Sequence, residues 1–517
     1  MSNLSELLPS GGGQNVGSFV ASGTIANGAV VGLTSDGKVS ILDPSGVGST
    51  STVSPATGNI GQSCSVYDDT RNVVHVVYKH NNTQYINHIA GSISGSTITF
   101  GTESVVVTEN PKDIDIAMNS TIGLPIVAFC QGTGGNVKVR SGTGGSGTTM
   151  GWSGNLLTVQ AGDNNNVFIR NDPPRSDGSN GETFIIFNRE NPNGRLMGAA
   201  LETNTSGTTS IRLGPTTLYY TSSRTAVPMG LFYDANVQSH MGCFNYHNYS
   251  TGEQSCQAFQ ANIQTTQIAV SPEANIGVTF GTGGTAVEEP LTSNTGRMGG
   301  SGNGKVVMTG AFQEGTVTST RTFRAYVITA NGTSQAPTVA SAVDMIPGVT
   351  GSQYFGMTTM YDSNASKFVT VFGYVPNSYY ISVITSTLSG TTLTVDPGIT
   401  NLQSSGLYYD GMTATYSAHS NNVFIWSMTN PASSALAGMY TVGSLELDSF
   451  IGLAGQAISD TATGNVDMLG GINSQQTSLV IGSKYYVQDN GTLGTTVTST
   501  FAGQAISATT LNIRDLT

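Results

Sequence analysis

Charged residues are scarce in this chain of 517 residues: Asp, Glu, Lys and Arg make up 10% of it, where about 25% is usual. The strong helix formers Lys, Glu and Arg are therefore few, whereas Gly, with 66 residues, and small or β-branched residues are plentiful. This balance argues against a helical bundle, a doubly wound nucleotide-binding fold and a charged disordered chain. Apolar residues still make up 38%, which is enough for a large core. We therefore predict an all-β protein.

Basic residues are especially few, 19 against 31 acidic ones, which gives a net charge of −12. This argues against nucleic acid or an anionic membrane surface as a partner. No apolar run reaches the length of a transmembrane helix, so we expect no membrane insertion. The first residues lack the basic and apolar regions of a secretory signal, so we expect synthesis in a cytoplasm. The four cysteines lack metal-ligand spacing and are expected to be reduced and partly buried.

Seven segments repeat one pattern, in which a β-rich run, a polar turn and an alternating run follow one another. The segments are Ser63–Tyr78, Ile114–Cys130, Val167–Phe187, Met229–Tyr246, Gly296–Phe312, Gly356–Tyr374 and Gly411–Met428. A Tyr-Asp pair marks three of the turns (Tyr67-Asp68, Tyr233-Asp234 and Tyr361-Asp362), and Tyr416-Ser417 matches it in the last copy. The average period is about 58 residues, and each unit supplies about four antiparallel strands.

Four-stranded units repeated seven times predict a β-propeller. A single blade cannot bury both of its partly apolar faces, whereas blades packed around an axis bury them on each other and leave short edges. The third and fifth copies are degenerate, so a count that differs by one blade stays an alternative. A linear array of β-sandwiches is the main rival, but each sandwich needs about 100 residues.

The two ends of the chain differ from the repeats. We predict an arm at residues 1–15, a β segment at 16–60, the propeller at 61–449 and a small β domain at 450–517. The seventh copy is short of a strand, which Lys38–Leu42 and Ser49–Ser54 can supply to close the ring. Because the hairpin patterns near both termini are alike, we expect residues 16–44 and 450–517 to form one β module. Two independent appendages are the alternative.

Few residues suggest chemistry. The histidines and the turn oxygens lack the spacing of metal sites, and Asx side chains that bond their own turns explain the Asp- and Asn-rich segments better. His80 and His88 are expected near a blade tip. Asp113 with Asp115 and Glu288 with Glu289 are the closest carboxylate pairs, but no nucleophile motif or sialidase-type box accompanies them. We therefore expect no enzyme activity, no cofactor and no metal.

Aromatic residues are the remaining candidates for recognition of a ligand. The adjacent pairs Tyr219-Tyr220, Tyr379-Tyr380 and Tyr408-Tyr409 lie on predicted strands, where successive side chains point to opposite faces and interblade packing explains them. Trp152, in a Gly-rich segment, is the more exposed candidate for contact with a surface ligand. In the N-terminal arm, Leu4, Leu7, Leu8 and Pro9 precede three glycines and are too few to build a core, so we predict that they anchor the chain to a partner protein.

Three segments resemble structural tail proteins of marine tailed phages, particularly cyanophages. They are Leu4–Leu42, the TITFGT string of Thr97–Thr102, and Gly452–Leu493. The resemblance implies a virion protein of the tail, of fibre or host-adhesion type, and brings no catalytic residues. Its implied partners are other virion tail proteins, bound through the arm, and a host surface glycan or protein. We also expect a homo-oligomer.

Three functions therefore stay open at this point. The first is a virion tail component that mediates or supports attachment to the host surface. The second is a capsid-decorating or architectural virion protein. The third is a tail-borne polysaccharide depolymerase.

Overall fold

The computed structural model contains antiparallel β-sheets, and its described residues include no helix. The structure describes residues 15–34, 37–42, 46–53, 60–94, 97–119, 123–132, 135–145, 147–162, 164–172, 182–189, 194–204, 207–220, 225–247, 254–280, 298–313, 321–346, 353–375, 380–396, 399–403, 407–429, 435–442, 450–488, 491–498 and 500–514. None of these described parts holds a helix long and apolar enough to cross a membrane. Two compact units are present, Met1–Val47 with Thr441–Thr517, and Gly48–Tyr440.

The larger unit begins within a strand and continues through the first three of its sheets, here called blades. Before blade 1 the chain forms four strands: β1 (Val16–Val20), β2 (Val30–Leu33), β3 (Val39–Ile41) and β4 (Gly46–Val53). The first three belong to the smaller unit, and the larger unit begins within β4. Blade 1 contains β5 (Ile60–Asp68), β6 (Val73–His80), β7 (Tyr85–Ser94), β8 (Thr97–Phe100) and β9 (Ser104–Val107). Blade 2 contains β10 (Pro111–Asn119), β11 (Leu124–Gln131), β12 (Val137–Thr143) and β13 (Gly151–Gln160). Blade 3 contains β14 (Asn164–Asp172), β15 (Glu182–Arg189), β16 (Arg195–Thr203) and β17 (Thr209–Tyr219).

Four further blades follow in the chain. Blade 4 contains β18 (Thr225–Asp234), β19 (Ser239–His247), β20 (Gln254–Ile263), β21 (Ile268–Val270) and β22 (Ala274–Phe280). Blade 5 contains β23 (Met298–Gly300), β24 (Lys305–Gln313), β25 (Arg321–Thr329), β26 (Thr338–Val339) and β27 (Val343–Asp344). Blade 6 contains β28 (Gln353–Asp362), β29 (Lys367–Val375), β30 (Tyr380–Ser389), β31 (Thr392–Val395) and β32 (Thr400–Gln403). Blade 7 contains β33 (Leu407–Ser417), β34 (Asn422–Thr429) and β35 (Ala435–Thr441), and β4 completes it.

The blades form a closed ring. The first strand of each blade contacts the first strand of the next, in the order β5, β10, β14, β18, β23, β28 and β33, and β33 returns to β5. In the described part of the chain the propeller therefore has seven blades, as the repeats predicted. The predicted closure is also confirmed, because β4 from the N-terminal side pairs next to β35. Lys38–Leu42 was expected to contribute to this blade, but its strand β3 pairs with β2 instead.

Packing between blades explains why the strands read as nearly continuous apolar runs. Strand β6 is buried along almost its whole length. Its residues Val74, Val76 and Tyr78 pack with blade 7, where Trp426 is fully buried, and Val77 packs with blade 2. Further clusters lie between blades 2 and 3, 3 and 4, 4 and 5, and 5 and 6. Each large side chain buried in such a seam contributes about 1.5–3 kcal/mol of transfer free energy.

The smaller unit is a β module built from both ends of the chain. Its further strands are β36 (Phe450–Ala454), β37 (Thr463–Met468), β38 (Ile472–Asn473), β39 (Lys484–Val487), β40 (Leu493–Gly494), β41 (Phe501–Ala505) and β42 (Leu511–Asn512). One sheet has the order β1-β37-β36-β2-β3, so two C-terminal strands lie between N-terminal strands in it. The second sheet contains β38 to β42. The prediction of one module is confirmed, and the two-appendage alternative is wrong, because β1 pairs with β37 and β2 with β36.

Candidate functional site

The Tyr-Asp pairs lie at the hairpin between the first and second strands of their blades. Asp68 Oδ1 accepts the backbone N–H groups of Thr70 and Arg71, at 3.0 and 3.3 Å. Asp234 and Asp362 cap their own turns in the same way, and the Ser417 hydroxyl accepts from Ser420 in blade 7. The Asx turn predicted for Tyr67–Asn72 is confirmed. Each turn ends on a residue with positive φ four positions after the cap, Asn72, Gln238, Ser366 and Asn421.

The same turns connect neighbouring blades. Asp234 Oδ2 of blade 4 accepts the N–H of Gly304 in blade 5 at 2.7 Å. The Ser363 hydroxyl of blade 6 lies 3.4 Å from the phenol oxygen of Tyr416 in blade 7. In blade 1 the Arg71 guanidinium donates to the carbonyl oxygen of Gly123 in blade 2. The repeat that reveals the fold in the sequence therefore includes the polar contacts that hold the blades in place.

A buried histidine pair follows the turn of blade 1. His75 on β6 and His88 on β7 are each 1% exposed, and His75 Nδ1 lies 3.0 Å from His88 Nε2. The rings are stacked, with centroids 5.2 Å apart. His75 Nε2 lies 3.8 Å from Asp68 Oδ2, which makes this an electrostatic contact longer than a hydrogen bond. At the other end, His88 Nδ1 lies 3.3 Å from the Ser104 hydroxyl.

Trp152 of blade 2 completes this network, and its position differs from the expected exposed loop. It lies on strand β13 and is half-buried, because its indole packs edge-on against His88 with ring centroids 5.2 Å apart. Its Nε1–H donates to the Ser104 hydroxyl at 3.2 Å. The indole therefore links blade 2 to blade 1.

The end groups favour one direction of the hydrogen bonds in the network. An indole N–H can only donate, so Ser104 accepts it and its own proton is available to His88 Nδ1. A neutral His88 then carries its proton on Nε2 and donates to His75 Nδ1. The proton of His75 consequently lies on Nε2, which is 3.8 Å from Asp68 Oδ2 and makes no hydrogen bond. Neutral rings satisfy this arrangement with one proton each.

Burial governs the acid-base properties of the network. Desolvation lowers the pKa of His75, and it lowers the pKa of His88 well below the ordinary value, with the neighbouring His75 adding to the effect. For Asp68, burial acts to raise the pKa, but the electrostatic contact with His75 and the hydrogen bonds from Arg71 outweigh it, and the pKa is lowered. The site therefore holds an ionised carboxylate beside two neutral imidazoles near neutral pH. Such a site can take up protons in acid.

The carboxylate pair of β10 is also structural. Asp113 Oδ2 accepts the N–H of Val167, and Asp115 Oδ2 accepts the N–H of Ile169 at 2.9 Å and the Arg170 guanidinium at 2.8 Å, all in blade 3. Both carboxyls are at most 3% exposed. Burial raises the pKa of Asp113 to about 8, and it also raises the pKa of Asp115. These side chains contact the next blade, and Glu288 and Glu289 lie outside the described residues.

Other candidate residues have mixed outcomes. Tyr219 packs against Phe244 in the seam between blades 3 and 4, and Tyr220 is exposed with the Arg195 guanidinium 4.8 Å from its ring centroid. Across the described ranges, no three His, Cys, Asp or Glu side chains come together as a metal site. The anchoring candidates Leu4, Leu7, Leu8 and Pro9 lie outside the described residues. All four cysteines are buried, and none of them forms a disulfide bond in the structure.

The histidine pair was not predicted from the sequence, where His88 was expected near a blade tip. The hairpin register explains the difference. His80 faces Tyr85 across the turn, so Val77 faces His88 and His75 faces Ala90. His75 and His88 are therefore diagonal neighbours on one face of the sheet. If a four-residue turn is assigned after His80, the sequence alone predicts that His75 and His88 are neighbours.

No protein-family model and no curated protein sequence matches the chain. Among solved structures, it is similar to the periplasmic gluconolactonase PpgL of Pseudomonas aeruginosa, at 8% identity and a TM-score of 0.41 over 77% of this chain and 97% of that one. It is also similar to Sqt1 of Chaetomium thermophilum, at 8% identity and a TM-score of 0.38 over 75% and 99%. A Trypanosoma rangeli sialidase mutant matches at 9% identity and a TM-score of 0.37 over 85% and 61%.

Proposed function

We propose that this protein is a structural component of a phage tail, of fibre or adhesin type, that attaches the particle to the host surface or supports the protein that does. The resemblance of Leu4–Leu42 and Gly452–Leu493 to marine phage tail proteins suggests this role. The observation that carries it is the use of the buried polar groups: the carboxylates of Asp113, Asp115 and Asp234 bond the next blade. Buried polar groups that bond neighbouring blades favour a role as a rigid scaffold.

A rigid ring suits a protein that transmits force between a particle and a cell. The β4 strand closes blade 7, so separating the two ends of the ring at this blade requires that a complete edge of hydrogen bonds is broken. The N-terminal arm, with Leu4, Leu7, Leu8 and Pro9, is proposed to anchor this ring to other virion tail proteins. Exposed polar side chains of the propeller would then contact a host glycan or protein. We also propose that the chain assembles as a homo-oligomer, made in the host cytoplasm and working in the tail.

Competition for host cells tests this proposal. The purified full-length chain, added to cells of the strain on which the particles grow, should bind to them and slow adsorption of whole particles. The chain lacking residues 1–13 should bind the cells equally well but fail to enter assembling particles. If the full-length chain neither binds cells nor enters particles, the proposal is wrong.

The depolymerase alternative makes a different prediction. It requires reducing ends to appear when the protein is incubated with host surface glycan, and their release must stop when one carboxylate is replaced. The proposed structural role predicts no release of reducing ends under the same conditions. A capsid-decorating protein would be present in hundreds of copies in each particle, whereas a tail component would be present in few.

A further inference from the structure

The His75–His88 pair lies in the seam between blades 1 and 2, among apolar side chains from both. Blade 1 contributes Val77 and Ile86 to this cluster, and blade 2 contributes Ile116, Val127 and Phe129 among others. An imidazolium ion in such surroundings loses its hydration without a compensating shell of polar groups. The pair is therefore stable in the seam only while it carries little charge.

Few charged groups are placed to compensate a proton on the pair. In blade 1, Asp68 is 3.8 Å from His75, Arg71 is paired with Asp68, and Glu103 accepts a hydrogen bond from Asn87. In blade 2, Arg140 donates to backbone oxygens of Val106 and Ser153, and Lys138 is paired with Glu109. The thiol of Cys64 in the same cluster has a pKa raised well above its ordinary value by burial. Asp68 is thus the one carboxylate in direct reach of the pair among these groups.

Proton counting shows what acid does to the network. A first added proton can reside on His75, between Asp68 and His88, if His88 turns its own proton towards Ser104. A second proton makes both rings imidazolium ions, so His75 Nδ1–H and His88 Nε2–H face each other across 3.0 Å. Two donors and two positive charges at this distance repel, and the contact cannot persist.

We propose that the histidine pair is an acid-sensitive lock on the seam between blades 1 and 2, closed while the rings are neutral and released when both are protonated. Release affects blade 2 first through Trp152, whose indole contacts His88 and Ser104. In the opposite seam of blade 1, formed with blade 7, the described ring contacts of Trp426 are with Tyr78 and Phe100. The ring is thus expected to loosen on one side of blade 1. This proposal does not depend on the phage-tail function.

The two tryptophans report on the two seams separately. The protein labelled with 5-fluorotryptophan should give two fluorine resonances, and the W152F variant assigns them. On lowering the pH from about 8 to about 4, the Trp152 signal should shift below the ordinary histidine pKa of about 6.5, while the Trp426 signal stays constant until global unfolding. In His88→Gln the Trp152 shift should disappear. His419→Gln, which removes an exposed histidine, should leave the wild-type curve unchanged.

Two results would overturn the proposal: a Trp152 shift of the same size and midpoint in His88→Gln, or signals of Trp152 and Trp426 that change together at every pH. Should His88→Gln fail to fold, histidine NMR of the wild-type chain gives the answer. The resonances of His75 and His88 must then titrate below the ordinary histidine pKa of about 6.5. A normal titration of either buried ring contradicts the lock.

Discussion

Asp234 Oδ2 lies 2.7 Å from the backbone nitrogen of Gly304, and this hydrogen bond joins the turn of blade 4 to blade 5. The other oxygen of the same carboxylate caps the turn through Asn236 and Val237. Asp234 is fully buried, so water cannot replace it at Gly304. One side chain thus shapes a turn and connects two blades.

Replacing Asp234 by Ala should lower the free energy of unfolding by about 1–3 kcal/mol, because the buried N–H of Gly304 loses its acceptor. Urea unfolding followed by circular dichroism measures the change. The matched control is Asn236→Ala, which removes an exposed side chain from the same turn and should change the stability by less than about 0.5 kcal/mol. Equal effects of the two substitutions would contradict the interblade role.

Asp113 should make the protein less stable in mild alkali. Burial raises its pKa from 3.8 to about 8, so the folded chain keeps a proton that the unfolded chain releases above about pH 4. Stability due to this group is therefore present at low pH and is lost as the pH rises towards 8. In Asp113→Asn this loss should be absent, and the variant should gain on the wild type by up to about 1.4 kcal/mol per pH unit in that interval.

Urea unfolding of both proteins at several pH values tests this sign. Parallel stability curves for wild type and Asp113→Asn would show that the carboxyl does not titrate in the interval. Asp460→Asn, at an exposed position, serves as the control for the substitution.

Gly299 allows blade 5 to approach blade 6 closely. A Cβ atom there would lie 2.8 Å from the carbonyl oxygen of Thr359 and 3.0 Å from the nitrogen of Met360, and backbone atoms cannot move aside easily. Gly299→Ala should therefore cost about 1–3 kcal/mol in thermal or urea unfolding. Gly214→Ala, on a strand with open space around the added methyl group, should not destabilise the protein. A neutral Gly299→Ala would mean that this seam is looser than described.

Ring closure by β4 predicts a sharp difference between two truncations. Removing residues 1–13 leaves β4 intact, and the chain should fold. Removing residues 1–53 takes β1 to β3 from the β module and exposes the edge of β35 in blade 7, which should lead to aggregation or loss of the cooperative thermal transition. Size-exclusion chromatography and calorimetry distinguish the two. A monomeric, cooperatively folded chain after the longer truncation would show that β4 is dispensable.

The ring of blades could be predicted from the sequence because each repeat contains the residues that form its turn. Tyr67-Asp68 and its counterparts mark the residues that cap a hairpin. Each period of about 58 residues has room for one such hairpin and for four strands in total. The common module was also predictable, since hairpins of similar pattern occur at both ends. The position of β3 was not, because Lys38–Leu42 fits either a blade edge or the module, and only tertiary pairing with β2 decides.

The polar network could not be predicted from the residue types alone. Trp152 lies among glycines, which suggested an exposed loop, and its burial depends on His88 and Ser104 in a different blade. Asp113 and Asp115 were identified as a pair, but their contacts with Val167 and Ile169 come from the packing of blade 3 on blade 2. Contacts between repeats depend on the angle between blades, which the period of the sequence does not contain.

The central proposal is that the chain is a tail component, and its copy number in purified particles tests this most directly. Quantitative mass spectrometry with labelled peptides of this chain, referred to the major capsid protein of the same particles, measures that number. A tail fibre or adhesin predicts few copies in each particle. Hundreds of copies would indicate a capsid-decorating protein, and absence from the particles would contradict a virion role altogether.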